Sequence, residues 1–148
     1  MDSAPDSRRG AQAVATDCAV VALPALATVV RGVGIDLVEL ERIARACARH
    51  PRFVERILTP AERAYCLSRA ANAIQHVAGR WCAKEAIAKA VGRPLRWQEV
   101  EILPDTYGKP EVHLHGRSAA LVPEGELLVS ITHTRTLAQA IALWVVNR

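Results

Sequence analysis

One run constrains this chain more than any other: VAGRWCAKEAIAKAVG, from Val77 to Gly92. It reads as part of an alanine-rich helix that starts near Asn72 and stops at Gly92, with Pro94 just beyond. With about 3.6 residues per turn, Ile74, Val77, Trp81 and Ala88 form one stripe, and Glu85 falls in the middle of it. A carboxylate among apolar side chains is costly unless it neutralises, pairs or binds a metal. Arg80, Lys84 and Lys89 sit on the same helix. Lys89 follows Glu85 by one turn in the favourable order, worth ~0.2–0.5 kcal/mol on a helix surface. Two readings follow: an intrahelical ion pair on a solvated face, or a cation shared with a second carboxylate.

Asp36 is the candidate for that second carboxylate. It lies towards the end of TVVRGVGIDLVEL, a stretch with two glycines whose β-branched residues predict a strand. Two carboxylates with open positions around the ion suit Mg²⁺, which keeps waters and takes further ligands from a substrate phosphate. Arg80, Lys84, Lys89 and Lys109 would suit that phosphate.

The remaining elements follow from period and punctuation. ELERIARACARH has helical spacing, with Leu40, Ile43 and Cys47 on one side, and Pro51 stops it. LTPAERAYCLSR opens with Thr59 as N-cap, Pro60 at the first helical position and Glu62 completing a T-x-x-E capping box. After the long helix, QEVEIL and PEVHLHG read as strands around the turn PDTYGK, and LLVSITHT and LAQAIALWVV as a second pair. RSAALVP reads as a short helix between the two pairs. Strand, helices, then strands predict an α+β fold, an antiparallel sheet packed against a long helix.

At 148 residues the chain is expected to form one domain, from residue 29 to residue 148, preceded by a leader over residues 1–28. That leader imitates a signal peptide, but Asp17 and Pro24 break its apolar run, which argues against export and against a membrane span. Cys18, Cys47, Cys66 and Cys82 have no zinc-like spacing, and free cysteines fit a reducing, cytoplasmic setting. The net charge of +4 comes almost wholly from arginine, because Lys84, Lys89 and Lys109 are the only lysines. Arginine forks grip carboxylates and phosphates. Arg42, Arg45, Arg49, Arg52 and Arg56 follow one helix and its exit, either as a solvated face or as a dock for an acidic protein. Nucleic acid is disfavoured, since no recognised motif is present and few aromatics are available to stack on bases. His133 near a strand end has hydroxyl neighbours Ser130, Thr132 and Thr134, and YGKP reads at least as a turn.

Taken in order, GIDLVELERI, RFVERILTPAE, GRWCAKEAIAKAVG, YGKPEVHL and VSITHT resemble the bacterial holo-acyl-carrier-protein synthases, the small 4′-phosphopantetheinyl transferases. The resemblance runs from about Val30 to Arg148. The leader has no counterpart in the family pattern, and GRPLRW stands where the family often carries Gly-Thr-Gly. The resemblance implies the 4′-phosphopantetheinyl transferase fold. It also implies transfer of the phosphopantetheine arm of coenzyme A to a serine of an apo-acyl carrier protein, in fatty acid biosynthesis and with Mg²⁺. Carriers of polyketide or peptide synthases are the alternative acceptors, and a non-catalytic module binding coenzyme A or an acidic protein is the rival class.

Carried over residue by residue, the resemblance makes Asp36 and Glu85 the metal ligands and groups Asp36, Glu85 and Lys89 as the catalytic set. Arg80, Lys84, Lys89, Gly108, Lys109, Pro110, Thr132 and His133 would contact coenzyme A. Arg42, Arg49, Arg52 and Arg56 would receive the carrier. The acceptor of the serine proton stays open among Glu85, a water on the metal and a carboxylate of the carrier. The family's small members are commonly trimers with sites between subunits.

Overall fold

A computed structural model describes residues 28–147. In chain order the elements are β1 (Thr28–Glu39), α1 (Leu40–Arg49), α2 (Phe53–Ile57), α3 (Pro60–Ser68), α4 (Ala73–Val91), β2 (Val100–Pro104), β3 (Pro110–Leu114), α5 (Gly116–Ala119), β4 (Glu126–His133) and β5 (Leu137–Asn147). Single turns of 3₁₀ helix cover Ala70–Asn72 and Trp97–Glu99. The expectation of a leader over residues 1–28 lies outside the described residues, apart from Thr28, which opens β1 opposite Asn147.

The α+β expectation holds, with the strands divided between two antiparallel sheets, one ordered β1-β5-β4 and the other a β2–β3 hairpin. Helix α4 lies across one face of the larger sheet. Both glycines of β1 exist for that contact. A Cβ on Gly32 would come within 1.9 Å of the Ala90 carbonyl oxygen, and one on Gly34 within 1.9 Å of that of Ala86. Facing them, β5 contributes Ala138, Ala140 and Ala142, all buried. Strand and helix backbones therefore meet through alanine and glycine, and the wall of the core is thin and close-packed.

That contact corrects the apolar stripe read from the sequence. The buried face of α4 is Ala78, Cys82, Ala83, Ala86, Ile87 and Ala90, joined by Val77. Ile74, Trp81, Ala88 and Glu85 are only half-buried and form the shoulder of the helix. Bulk was the wrong guide, because the glycines of β1 select the smallest side chains for the deepest contact.

The capping box at Thr59 forms in full: the Glu62 backbone N–H donates to Thr59 Oγ1, and the Thr59 N–H donates to Glu62 Oε2. Helix α4 ends at Gly92 with φ of 72°, the left-handed conformation that suits glycine. Helix α2 has no counterpart in the sequence reading. Its five residues are too few to show a period.

Candidate functional site

Strand alternation decides what meets α4. In β1, Gly32, Gly34, Asp36 and Val38 turn towards the helix, while Val33, Ile35 and Leu37 turn away. Asp36 follows Gly34 by two residues, so the small-residue contact that brings the helix close also presents the carboxylate to it. Lys89 Nζ reaches back to donate to Asp36 Oδ1 and to the Ile35 carbonyl oxygen, each at 2.8 Å. Glu85 lies one turn before Lys89 and makes no hydrogen bond or ion pair among the described residues. Partial burial and then the negative charge of Asp36 push its carboxyl above the usual range, against the pull of Lys89. Asp36, through its hydrogen bond and charge, raises the pKa of Lys89. Behind the pair, Cys82 donates to the Ala138 carbonyl oxygen, and burial pushes its thiol up to about 12, so it stays neutral.

Two carboxylates facing one another, one of them unpaired, fit a divalent cation on chemical grounds. Among the described residues no group of three His, Cys, Asp or Glu side chains gathers. The protein would therefore offer such an ion two carboxylates and leave its other positions to water and substrate oxygens.

A second cluster lies further back on the same helix. Arg80 is five residues before Glu85, a rise of roughly 7.5 Å along the axis. It is 5% exposed, its Nε is buried with no hydrogen-bond partner, and its guanidinium stacks 4.3 Å from the centre of the Tyr65 ring. Arg69 lies over the same ring at 5.2 Å. His76, one turn before Arg80, meets Tyr65 edge-on at 5.4 Å and His133 at 6.5 Å. His133 pairs with Ala138, which puts it on the helix side of the sheet. Burial, then Arg80, Arg69 and His133, hold His76 below its usual pKa. Four basic side chains thus gather with no carboxylate paired to any of them, an arrangement suited to a phosphate.

The structure brings together Asp36, Glu85 and Lys89, and it sets Arg80 near His133. It corrects one assignment. Lys84 does not face a ligand. It is 1% exposed and donates to the Ile57 carbonyl oxygen at 2.7 Å, to Glu62 Oε2 at 2.7 Å and to the Trp97 carbonyl oxygen at 2.8 Å. All three ammonium protons are used, and a phosphate has no access. Thr132 pairs with Gln139, which pairs with Leu37, so it lies on the outer face of the sheet, opposite to that of His133. Gly108, Lys109 and Pro110 sit at the β2–β3 turn, and none of them hydrogen-bonds to Asp36, Glu85 or Lys89. Lys109 and Pro110 line a cleft with Val112, Leu114, Val122 and Leu127 that includes neither carboxylate.

Arg42, Arg49, Arg52 and Arg56 are exposed on α1 and α2, and none is paired with a carboxylate among the described residues. Arg45, by contrast, is engaged by Glu41 at 2.7 Å. Sequence reasoning missed Tyr65, Arg69 and His76. The i,i+4 spacing of His76 and Arg80 was the only local sign of a shared site.

The chain matches the family model described as the 4′-phosphopantetheinyl transferase superfamily over residues 32–140. It is 44% identical over 116 residues to the holo-[acyl-carrier-protein] synthase of Moorella thermoacetica, covering 74% of this chain and 90% of that one. Its fold is similar to the crystal structure of the holo-ACP synthase from Plasmodium yoelii, with a TM-score of 0.74, 29% identity and coverage of 82% and 98%. It is also similar to a holo-(acyl-carrier-protein) synthase from Bacillus anthracis in complex with CoA (3′,5′-ADP), with a TM-score of 0.69, 32% identity and coverage of 80% and 98%.

Proposed function

The chain belongs to the 4′-phosphopantetheinyl transferase superfamily, and on that premise we infer that it is a holo-acyl-carrier-protein synthase. It moves 4′-phosphopantetheine from coenzyme A to a serine of apo-acyl carrier protein. The bond that forms joins the serine oxygen to the phosphorus carrying the pantetheine arm. The bond that breaks frees adenosine 3′,5′-bisphosphate. The observation that carries the reading is the unpaired Glu85 beside Asp36, one helix face away from the unpaired Arg80.

Asp36 and Glu85 would hold Mg²⁺, whose part is to offset negative charge on the diphosphate and on the leaving bisphosphate. With Asp36 so engaged, Lys89 Nζ is free to turn from it towards a phosphate oxygen. Arg80, stacked on Tyr65 and paired with no carboxylate among the described residues, supplies a positive charge held in a fixed place beside the anion. His76 and His133 border the same space. The roughly 7.5 Å rise between Arg80 and Glu85 is within the span of one polyphosphorylated ligand.

The carrier docks on Arg42, Arg49, Arg52 and Arg56, whose unpaired charges suit an acidic helix. The working assembly is a trimer. Val33, Ile35 and Leu37 are 61%, 53% and 57% exposed, and Ile141, opposite Ile35, is 40% exposed. An apolar sheet face of this kind on a chain with a helix covering the other face calls for a partner. In that assembly Lys109 and Pro110 serve the nucleotide end of a neighbouring subunit's site, which explains their distance from the carboxylates of their own. The setting is the cytoplasm and the pathway fatty acid biosynthesis, in keeping with free Cys47, Cys66 and Cys82 and with the absence, among the described residues, of a helix long and apolar enough to cross a membrane.

The test is metal dependence. Asp36→Asn and Glu85→Gln should each reduce carrier modification by about two orders of magnitude or more while the fold survives. Near-normal rates for both at saturating Mg²⁺ would remove the carboxylates from the site.

A further inference from the structure

Helix α2 presents Arg52 at its N-cap and Arg56 in its last turn, yet its five residues cannot hold a helix unaided. What holds it comes from outside. At its start, Phe53 packs on Trp81 of α4 with ring centres 5.7 Å apart, and Trp81 packs on Trp97 at 5.8 Å. At its end, the carbonyls that any helix leaves unpaired are taken by two side chains. Gln98 Nε2 donates to the carbonyl oxygens of Glu55 at 2.6 Å and Leu58 at 2.7 Å. Lys84 Nζ takes that of Ile57, which lies between Arg56 and Leu58, at 2.7 Å. Lys84 is itself locked by Glu62 and by the Trp97 carbonyl oxygen, beside Gln98 in the chain. Both carbonyl grips fall immediately around Arg56.

We propose that Gln98 and Lys84 are positioning residues for carrier recognition, a clamp that fixes the arginines of α2 relative to the helix bearing Glu85. Lys84 and Glu85 are neighbours on α4, so the ammonium that grips α2 and the carboxylate at the reaction centre share one rigid element. The distance from docking surface to reacting phosphate is then set by hydrogen bonds to the backbone of α2, and no docking contact needs to reach the site itself. The inference rests on the reading of Arg52 and Arg56 as carrier-docking residues.

Lys84 lies in the core, and its removal would strand Glu62, so the test uses the exposed Gln98. Gln98→Met removes both donors at similar length without adding charge. It should raise KM for apo carrier about three- to tenfold, the scale of one or two hydrogen bonds, with KM for coenzyme A and kcat at saturating carrier changed less than about twofold. Gln98→Lys, which restores a donor, should recover most of the loss. In combination with Arg56→Ala the two effects on carrier KM should be less than additive, because both act through the same arginine. A Gln98→Met enzyme that melts earlier but keeps its carrier KM would overturn the proposal and leave Gln98 a stabilising cap. Fully additive effects would overturn it too. If Arg52→Ala and Arg56→Ala themselves leave carrier KM unchanged, the docking reading fails and this inference falls with it.

Discussion

Glu85 carries an electrostatic cost that the free protein does not relieve. Burial and Asp36 raise its pKa, so the native state binds that proton more tightly than the unfolded chain does. For a raised carboxylate the native state is penalised above the folded pKa, and the penalty fades as pH falls through it. Glu85→Gln should therefore melt at a higher temperature than the parent at neutral pH without metal, with the gap closing on acidification. A lower melting temperature at neutral pH would mean that Glu85 is stabilised by a partner rather than strained. Arg80, a cation 5% exposed with an unmet donor, carries a desolvation cost of its own. Arg80→Met should leave thermal stability unchanged or improved while weakening coenzyme A by about tenfold or more, the scale of one lost charge-assisted contact. A variant that melts at a lower temperature but binds coenzyme A normally would assign Arg80 to structure. Glu85 and Lys89 were legible together through the i,i+4 rule, while Asp36 joined them as a strand-end carboxylate and through the family resemblance. Lys84 was not. The side chain next to Glu85 turns about 100° around the helix, and only the placement of α3 shows that Glu62 is waiting there.

At the scale of elements, hydrophobic period, Thr59, Pro60 and Gly92 are local signals, and they foretold the strands and the longer helices among the described residues. What remained hidden is tertiary. The division of the strands into two sheets depends on the chain's long-range pairing, and α2 depends on Trp81, Gln98 and Lys84 from other elements. The contact between β1 and α4 shows the same dependence in energy. Gly34→Ala would drive a methyl group into the Ala86 carbonyl and should cost about 3 kcal/mol or more, read by denaturant melts, with Asp36 displaced from Glu85. Stability within about 0.5 kcal/mol of the parent would show that strand and helix can separate without loss. Helices α1 and α2 carry the opposite kind of evidence, since Arg42 and Arg52 are paired with no carboxylate among the described residues. Arg42→Glu and Arg52→Glu should raise KM for the carrier strongly and spare KM for coenzyme A, and added salt should shrink the difference. Little change in carrier KM from either would return these arginines to an ordinary solvated face.

On the scale of the whole molecule, a single chain holds the carboxylates, the arginine cluster and the basic helices α1 and α2, while its β2–β3 turn and outer sheet face lie apart from them. Those two surfaces make sense together if subunits complete one another's sites. Ile35→Glu, at the centre of the exposed apolar row, should give a folded monomer with little activity, measured by light scattering alongside melting temperature. A fully active monomer would confine the whole site to one chain. The central claim is the transfer itself, and intact-mass spectrometry reads it most directly. Incubated with coenzyme A, Mg²⁺ and an apo-acyl carrier protein, the enzyme should add one phosphopantetheine to the carrier, with none added when Mg²⁺ is chelated or Glu85 is Gln. A panel of apo carriers left at their original mass, despite bound coenzyme A and a folded enzyme, would contradict it.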